Sequence, residues 1–512
     1  MRSALLVFDV KLGENFRRKA RYCANGHKTD ALSSVTYSTV VSRDSVRIAF
    51  LIAALNNLSV VSSDIQNAYL AAPCREKFYY KAGPEFGSDE GKIYIVRRAL
   101  YGLKTSGASF RQYLAESFTD MGFTSCTRAD PDVWMRPQSK PDGTRYYEYF
   151  LAYVDDLLFV SHDTTAGMEE LLSSKRIKLK NDKYEPPTSF LGSELIFKEF
   201  CGCKMWAQHS TKYVNAAVKT VEEAIVSRKN QFVTKARTPY PTDYHPELDE
   251  TPECNDSDIR FCQEMVGMLR WAVELGRVDI LLEVSLISSY MACPRIGHMK
   301  VLIHMFAFLK YKPKLTIAFD PRHPLLEESR FVKCDWTDIY PDAQEDIPSD
   351  LPPPLGKDVT TTCFVDASHG SNLKNRRSQT GVLIFLCRAP IHWYSKYQNT
   401  VESSTFGSEF NAMRTAVELL IAFRFKLRCF GIPLDQPTTL LCDNDAVCKN
   451  TRHPESKLTK KHNQVNFHKS REAVAALIIR VAHEDSPTNI SDLFTKVKSA
   501  VERERLLFKF TY

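Results

Sequence analysis

The sequence predicts a multidomain α+β protein with a strand-rich N-terminal part, a helical middle and a C-terminal mixed α/β domain. Three observations predict it. In residues 149–160 two adjacent carboxylates, Asp155 and Asp156, interrupt an apolar, β-favouring run whose flanks read as the two strands of a hairpin. From 208 to 324 the apolar residues recur mostly at helical spacing. After an acidic, proline-rich stretch at 335–356, the pattern becomes three strands, a long helix, a fourth strand and further helices, the order of a mixed sheet with helices on its faces.

At 512 residues the chain has room for about three domains, each with its own core. Its 44% hydrophobic and 25% charged residues exclude wholesale disorder. No apolar run approaches the roughly 18 residues that span a bilayer, so no membrane is expected. The charge at Asp9 breaks the opening run too early for a signal peptide. Fourteen cysteines without a CxxC pair, Cys201-Gly202-Cys203 being the nearest, indicate neither a zinc knuckle nor a disulfide framework and fit reduced thiols in an intracellular protein. A net charge of +7 suits a polyanionic partner without requiring one.

Residues 11–28 are basic (Arg17, Arg18, Lys19, Arg21 and Lys28) around a strand at 7–10 and a turn at Asn25-Gly26, the pattern of a solvated edge hairpin. Residues 43–57 space Val46, Phe50, Ile52, Ala53 and Leu55 as a helix face. A β-rich run at 58–64 ends on Asp64, with Tyr69 five residues later. Alone, that Asp reads equally well as a helix cap or turn residue; a second acidic site changes the weighing. Asp155-Asp156 is that site. Burying an ionised carboxylate costs several kcal/mol unless a partner compensates, so an adjacent pair at a hairpin tip calls for a cation, most economically a divalent metal. A plain surface turn is the other reading, disfavoured because Leu157 follows at once, without Gly, Asn or Pro. At 99–110, Tyr101-Gly102-Leu103-Lys104 and Gly107 form a strand-to-helix turn whose glycines allow close backbone approach to a ligand, with a helix from near Ala108. Helices are expected at 213–226, 261–290 and 298–311, with a loop at 240–258. The segment 335–356 has six acids, five prolines and no Lys or Arg, and is expected to stay extended and mobile.

The C-terminal part places strands at 361–365, 380–386, 390–395 and 438–442, a long helix at 404–430, a further strand at 477–481 and a last helix from about 490. Asp366 ends the first strand, Glu409 lies beside the Phe406/Phe410/Met413 stripe of the long helix, Asp443 ends the fourth strand and Asp492 opens the last helix. Each has an innocent reading as a cap or surface charge. Four in this order suit a site in which two metals about 4 Å apart need several hard oxygen ligands on one side of a sheet. Residues 457–471 add Lys457, Lys460, Lys461, His462, His468, Lys469 and Arg471 on an expected helix, either a solvated face or a phosphate contact beside that site.

These motifs resemble the reverse transcriptase and ribonuclease H regions of copia-type LTR retrotransposon Pol polyproteins. The resemblance rests on Tyr153-Val154-Asp155-Asp156, on Leu100-Tyr101-Gly102-Leu103-Lys104-Thr105-Ser106 (Thr105 standing where Gln is common), on Val266-Gly267 and Arg277-Val278-Asp279-Ile280, and on the contexts of Asp366, Glu409, Asp443-Asn444 and Ser491-Asp492-Leu493-Phe494-Thr495-Lys496. It implies right-hand polymerase fingers and palm at 1–205, a thumb and helical connection at 206–334 acting as scaffold and duplex contacts, a linker at 335–356 and a ribonuclease H-like domain at 357–512. It further implies two Mg²⁺ ions per active site, or Mn²⁺ in their place. Asp64, Asp155 and Asp156 would hold one pair, Asp156 contributing least, and Asp366, Glu409, Asp443 and Asp492 the other. Lys19, Arg21, Tyr69, Tyr101, Gly102 and Lys104 would meet the incoming nucleotide, with Tyr69 beneath its sugar. Phe190-Leu191-Gly192 would be the hairpin gripping the primer end, and Lys460, Lys461 and His462, echoing a Lys-His-Ile motif, would touch nucleic acid. His483, nine residues before Asp492, would sit on a mobile loop assisting product release. Partners would be an RNA template, a DNA primer, RNA–DNA hybrid and deoxynucleoside triphosphates, with room for a homodimer, in a cytoplasmic virus-like particle or the nucleus. Family members carry more fingers sequence before the first strand, so a second expectation stands beside the enzyme: a truncated, catalytically impaired nucleic-acid-binding remnant. All seven acids being intact favours the enzyme.

Overall fold

The structure is a computed structural model that describes residues 4–11, 17–26, 36–174, 176–200, 202–228, 235–458 and 461–512. It divides into two compact units, residues 1–46 with 57–187, and residues 47–56 with 188–512.

The first unit is built on a five-stranded sheet in the order Ser59–Asp64, Asp156–Ser161, Arg145–Tyr153, Asp130–Ser139, Thr124–Cys126, every neighbour antiparallel. The strand Asp156–Ser161 is an interior strand, buried from Leu157 onward, which is why its sequence is a continuous apolar run and not an alternating one. The helices Ser106–Asp120 and Thr164–Ser173 cover one face through Phe110, Phe118, Met168 and Leu171. Phe118, Phe150 and Phe159 stack in a row, with centroids 4.8 and 4.0 Å apart, beneath the hairpin that ends in the Asp pair. Truncating such a wholly buried ring costs about 3–5 kcal/mol.

The basic N-terminal hairpin pairs Ala4–Lys11 with Arg17–Ala24. The turn expected at Asn25-Gly26 is not its tip. Residues 12–16 and Lys28 lie outside the described residues, and Asn25-Gly26 follow the second strand. There Ala24 donates to the Tyr101 carbonyl at 2.7 Å. A Cβ at Gly102 (φ +86°) would lie 2.1 Å from the Ala24 carbonyl oxygen, so this glycine permits a close approach of the hairpin's own backbone.

In the second unit the strands Ser189–Phe190, Ser193–Phe200, Cys203–His209 and Ile317–Ala318 form an antiparallel sheet. Beside it lie the helices Thr211–Ser227, Asp256–Glu274, Leu281–Ser288 and Ile296–Tyr311. The single helix expected at 261–290 is broken. Gly276, at φ +106°, ends the first piece, and Asp256–Glu274 begins five residues earlier than expected because Asn255 accepts from the Asp258 amide and acids fill the first turn.

The C-terminal sheet runs Ala389–Tyr397, Gln379–Leu386, Thr361–Ser368, Thr438–Cys442, Ile479–His483. The first three strands are antiparallel, and the last two lie parallel to Thr361–Ser368. This is the arrangement expected of the ribonuclease H fold. Its core is continuous with that of the helical middle, since Leu302 and Phe306 share one cluster with Leu383, Phe385, Phe494 and Phe510. A buried ionic network, Arg277 with Asp279 and Arg503 with Glu283, joins the same two parts. Residues 206–334 and 357–512 are therefore one compact body. The segment between them has no helix or strand, as its prolines dictate, but it is not the free linker the composition suggested. Trp336 is buried under the Arg471 guanidinium, and Glu345 is clamped by Arg424 at 2.8 Å and Arg428 at 2.5 Å.

Candidate active sites

In the first unit, antiparallel register sets Asp64 directly opposite Asp156, and Tyr153 opposite Asp156 on the other side. Residues so opposed have Cβ atoms about 4.5–5.5 Å apart. Asp155 lies in the two-residue turn Val154-Asp155, where Val154 takes φ +56°, a conformation that costs a β-branched residue about 1–3 kcal/mol and persists only where the surroundings impose it. The Ile65 amide, donating to the Asp155 carbonyl at 2.8 Å, helps impose it by tying the turn to the neighbouring strand end. Three carboxylates thus gather at one end of the sheet. Burial, followed by the charges of Asp155 and Asp64, pushes Asp156 up to about 6. Lys180 donates to Asp64 at 2.9 Å, a cation that no local sequence signal announces because 116 residues separate the two.

The Tyr69 and Tyr101 rings meet with centroids 5.0 Å apart, and both phenols are raised by burial and then by Asp155's charge, which locates this ring pair beside the carboxylates. Arg21 acts on Tyr101 from the hairpin. Lys19 and Lys104 are exposed. Phe190-Leu191-Gly192 does form a tight hairpin, its turn residues Leu191 and Gly192 both at positive φ (48° and 85°), and it belongs to the second unit.

In the second unit, the parallel register of Val365 with Cys442 carries Asp366 and Asp443 to the same end of adjacent strands. Glu409, in the first turns of the helix Thr405–Cys429, is 4% exposed, and its Oε2 is buried without a hydrogen-bond partner. Asp492 does not open a long helix; it sits in the short 3-10 turn Ile490–Phe494, and the last helix, Ala500–Leu507, is separate. Asp366 lies inside its strand and is wholly buried. Burial drives it up to about 7 against the pull of Lys496, with Asp492 and Asp443 adding to the rise. Glu409 is raised well above the carboxylate range by burial, then by Asp366 and Asp443. Burial would raise Asp492 too, but Lys496 at 2.6 Å and Lys498 at 2.7 Å outweigh it and hold it low. Lys496 also reaches Asp366 at 3.3 Å, and the Thr495 hydroxyl donates to Asp366. The position of Lys496, four residues past Asp492, was readable from its motif; its bridging role was not.

Among the described residues, ligand atoms that all lie within 4.8 Å of one another occur as two sets, Glu409/Cys442/Asp443 and Asp366/Asp443/Asp492. Asp443 is common to both, and the unpartnered Glu409 oxygen with the all-carboxylate set Asp366/Asp443/Asp492 suits hard divalent cations. The Asp64/Asp155/Asp156 trio is more open.

Two expectations fail here. His483 is not on a mobile loop: it ends the strand Ile479–His483, pairs with Cys442, and lies with Nε2 3.1 Å from the Asp443 carbonyl, so that it braces the backbone beside a ligand. The basic stretch is not one helix either: Lys461–Asn463 form a 3-10 turn and the helix runs Gln464–Ala475. Arg471 is buried, donating to the carbonyls of Asn450, His453 and Pro454, and His462 lies 3.3 Å from Glu402. Lys461 is exposed. Lys460 lies outside the described residues.

Residues 5–230 match the family described as reverse transcriptase (RNA-dependent DNA polymerase). The chain is 24% identical over 491 residues to the retrovirus-related Pol polyprotein from transposon RE2 of Arabidopsis thaliana, covering 95% of this chain and 30% of that protein. It is also 24% identical over 506 residues to that of transposon TNT 1-94 of Nicotiana tabacum, covering 96% and 33%. The chain therefore spans about a third of the length of these relatives. Solved structures with partial likeness include a foamy viral protease-reverse transcriptase in complex with RNA/DNA hybrid (11% identity, 98% of this chain and 73% of that, TM-score 0.29). Another is LC11-RNase H1 with RNA/DNA hybrid (16% identity, 28% and 99%, TM-score 0.22). The chain is similar to retrotransposon Pol polyproteins over nearly its whole length, and its residues 5–230 match the reverse transcriptase family model.

Proposed function

We propose that the chain is an RNA-directed DNA polymerase with a ribonuclease H centre, of the copia type. It would extend a DNA primer on an RNA template from deoxynucleoside triphosphates and cleave RNA in the resulting hybrid. The observation that carries the reading is the presence of two separate carboxylate centres in one chain, each at the end of a sheet and each in its own compact unit. Divalent cations, Mg²⁺ or Mn²⁺, would supply the activation of the attacking oxygen and the stabilisation of the leaving oxygen at both.

The residues do the rest. In the first centre Asp64 and Asp155 would be the main ligands of the ions, while Asp156, pushed up to about 6 by burial and its acidic neighbours, would contribute least and support the turn. Lys180 would hand Asp64 over as a cation enters. Tyr69, packed on Tyr101, presents a rigid ring where the nucleotide's sugar would lie, leaving no volume for a 2′-hydroxyl. In the second centre Asp366, Glu409, Asp443 and Asp492 would hold the ions, and Lys496 would stay paired with Asp366 and Asp492 until they enter. Primer extension on an RNA template tests the reading: wild type extends, Asp155→Asn does not, and both bind hybrid. Wild type that binds hybrid but neither extends nor cleaves is instead the impaired remnant.

A further inference from the structure

We propose that Gly381, Gln379 and Ser395 are positioning residues of the buried carboxylate centre: they seat the turn that carries Asp492, and the helix Leu281–Ser288 of the helical middle steadies that seat through Ser285. The inference rests on the ribonuclease H reading above and names what fixes the fourth carboxylate of that centre.

Asp492 needs support from outside its own element. Its turn, Ile490–Phe494, is a short piece of 3-10 helix, a form whose hydrogen bonds are poorly aligned. The turn lies across one row of the C-terminal sheet. Asp366, Gly381 and Ser395 are in register on three neighbouring antiparallel strands, and residues so opposed project from the same face. Each member of the row meets the turn or the residue that follows it. Asp366 accepts from the Thr495 hydroxyl. Ser395 donates its hydroxyl to the Phe494 carbonyl at 2.6 Å. Between them Gly381 leaves a gap: a Cβ there would lie 2.7 Å from the Thr495 methyl carbon, 2.9 Å from Phe494 Cβ and 2.9 Å from the Ser491 carbonyl oxygen. Ordinary contacts between carbons are about 3.5–4.0 Å, so a methyl at 381 would have to lift the turn by about half an ångström or more. Ser491 and Phe494 bracket Asp492, whose backbone moves with them.

The far end of the row is held from outside the sheet. Gln379, wholly buried, donates to the Ser395 hydroxyl at 2.8 Å, which leaves that hydroxyl's own proton for the Phe494 carbonyl. The same amide nitrogen donates to the Ser285 hydroxyl at 3.2 Å, and Ser285 donates to the Ser395 carbonyl at 2.8 Å. Phe494 is wholly buried in the core that the helical middle shares with the sheet. Lys496 and Lys498 hold the Asp492 carboxylate instead, on the oxygens that a cation would take. With the backbone of the turn fixed by the row, the carboxylate keeps its place when those lysines give way to a cation. Groups that orient a metal ligand from behind change metal affinity or activity by about 10–100-fold when they are lost.

The test compares the full chain as wild type, Gly381→Ala, Ser395→Ala, Ser395→Thr and Ser285→Ala. It measures kcat and KM for RNA cleavage in a labelled RNA–DNA hybrid, primer extension, Mn²⁺ affinity by electron paramagnetic resonance, and the thermal midpoint. Gly381→Ala and Ser395→Ala should each lower kcat for cleavage and weaken tight Mn²⁺ binding by about 10–100-fold, with KM and extension unchanged, because the turn orients a metal ligand. Ser395→Thr keeps the hydroxyl and should follow wild type. Ser285→Ala should move in the same direction as Ser395→Ala, by less. Wild-type kcat and Mn²⁺ affinity in Gly381→Ala, or equal losses in Ser395→Thr and Ser395→Ala, overturn the proposal; should Gly381→Ala fail to fold, the two Ser395 variants decide alone. Cleavage and extension falling together in step with a lowered thermal midpoint also overturn it, since the residues would then be packing only. Ser285→Ala indistinguishable from wild type overturns the part given to the helical middle. Wild type that extends a primer but neither cleaves nor binds Mn²⁺ tightly overturns the ribonuclease H reading itself.

Discussion

The two carboxylate centres solve the same electrostatic problem in opposite ways. The first sits on a hairpin tip, with Asp64 more than a third exposed and its charge met by one cation, Lys180. The second is buried, with Asp366 and Glu409 kept proton-retaining by burial and with Lys496 and Lys498 fixed on Asp492. An open trio lacks ligands that a substrate triphosphate can supply, as Mg²⁺ sites built on one or two carboxylates plus phosphate oxygens do. A closed set has its ligands in place before substrate arrives. Under the proposed function, the difference would separate a centre completed by a nucleotide from one preformed for water and a strand.

The largest expected effect is at the shared ligand of the second centre. Asp443→Asn should lower RNA cleavage by roughly 10³-fold, the scale of losing one group that faces developing charge, while extension rate on the same preparation stays within a factor of two or so of wild type. Loss of both activities in a folded variant would merge the two centres and break the comparison.

Next comes the reliance of the second unit on fixed cations. Burial would raise Glu345, but the hydrogen bonds and charges of Arg424 and Arg428 outweigh it and take the carboxyl down to about 2. Because the folded value lies below the ordinary one, this stability is complete above the usual glutamate range and is lost as pH falls from about 4.5 through about 2. It amounts to about 2–3 kcal/mol, and urea midpoints of wild type and Glu345→Gln compared at pH 6 and pH 3 should show the gap between them closing on acidification.

At the first centre, Tyr69→Ala should raise ribonucleotide incorporation relative to deoxynucleotide by about tenfold, the worth of a small group's volume in a packed site, and Tyr69→Phe should not. Both incorporation efficiencies on one folded variant decide it, since loss of packing alone lowers the two together. The smallest effect is at Lys496. Lys496→Gln removes a cation that competes with the metal, so half-maximal cleavage should need several-fold less Mg²⁺, and added Mg²⁺ should raise the thermal midpoint more than in wild type.

What the sequence revealed tracks how local each feature is. The Asp64 strand, the Asp155-Asp156 hairpin and the strand Thr438–Cys442 were readable because period and apolar run length are local properties. Lys180 was not, because its partner is set by tertiary folding alone. The 3-10 turn holding Asp492 looked like a helix start since Asn489 caps it as it would a helix. The acidic segment looked free because composition does not record that Arg424 and Arg428, about 80 residues away, are aimed at Glu345. His483 was expected on a loop from its spacing to Asp492 in the resemblance, whereas the strand runs to it, two residues beyond the expected end at 481.

The most direct test of the contrast is a Mn²⁺ titration of the full chain followed by electron paramagnetic resonance, for wild type, Asp155→Asn and Asp443→Asn, each with and without primer–template plus a deoxynucleoside triphosphate. Without nucleic acid, tight binding should be lost in Asp443→Asn and unaffected in Asp155→Asn. Adding primer–template and nucleotide should create further binding in wild type that Asp155→Asn lacks. Tight Mn²⁺ binding that disappears with Asp155→Asn in the absence of any nucleotide would contradict the account, because the first centre would then be as complete on its own as the second.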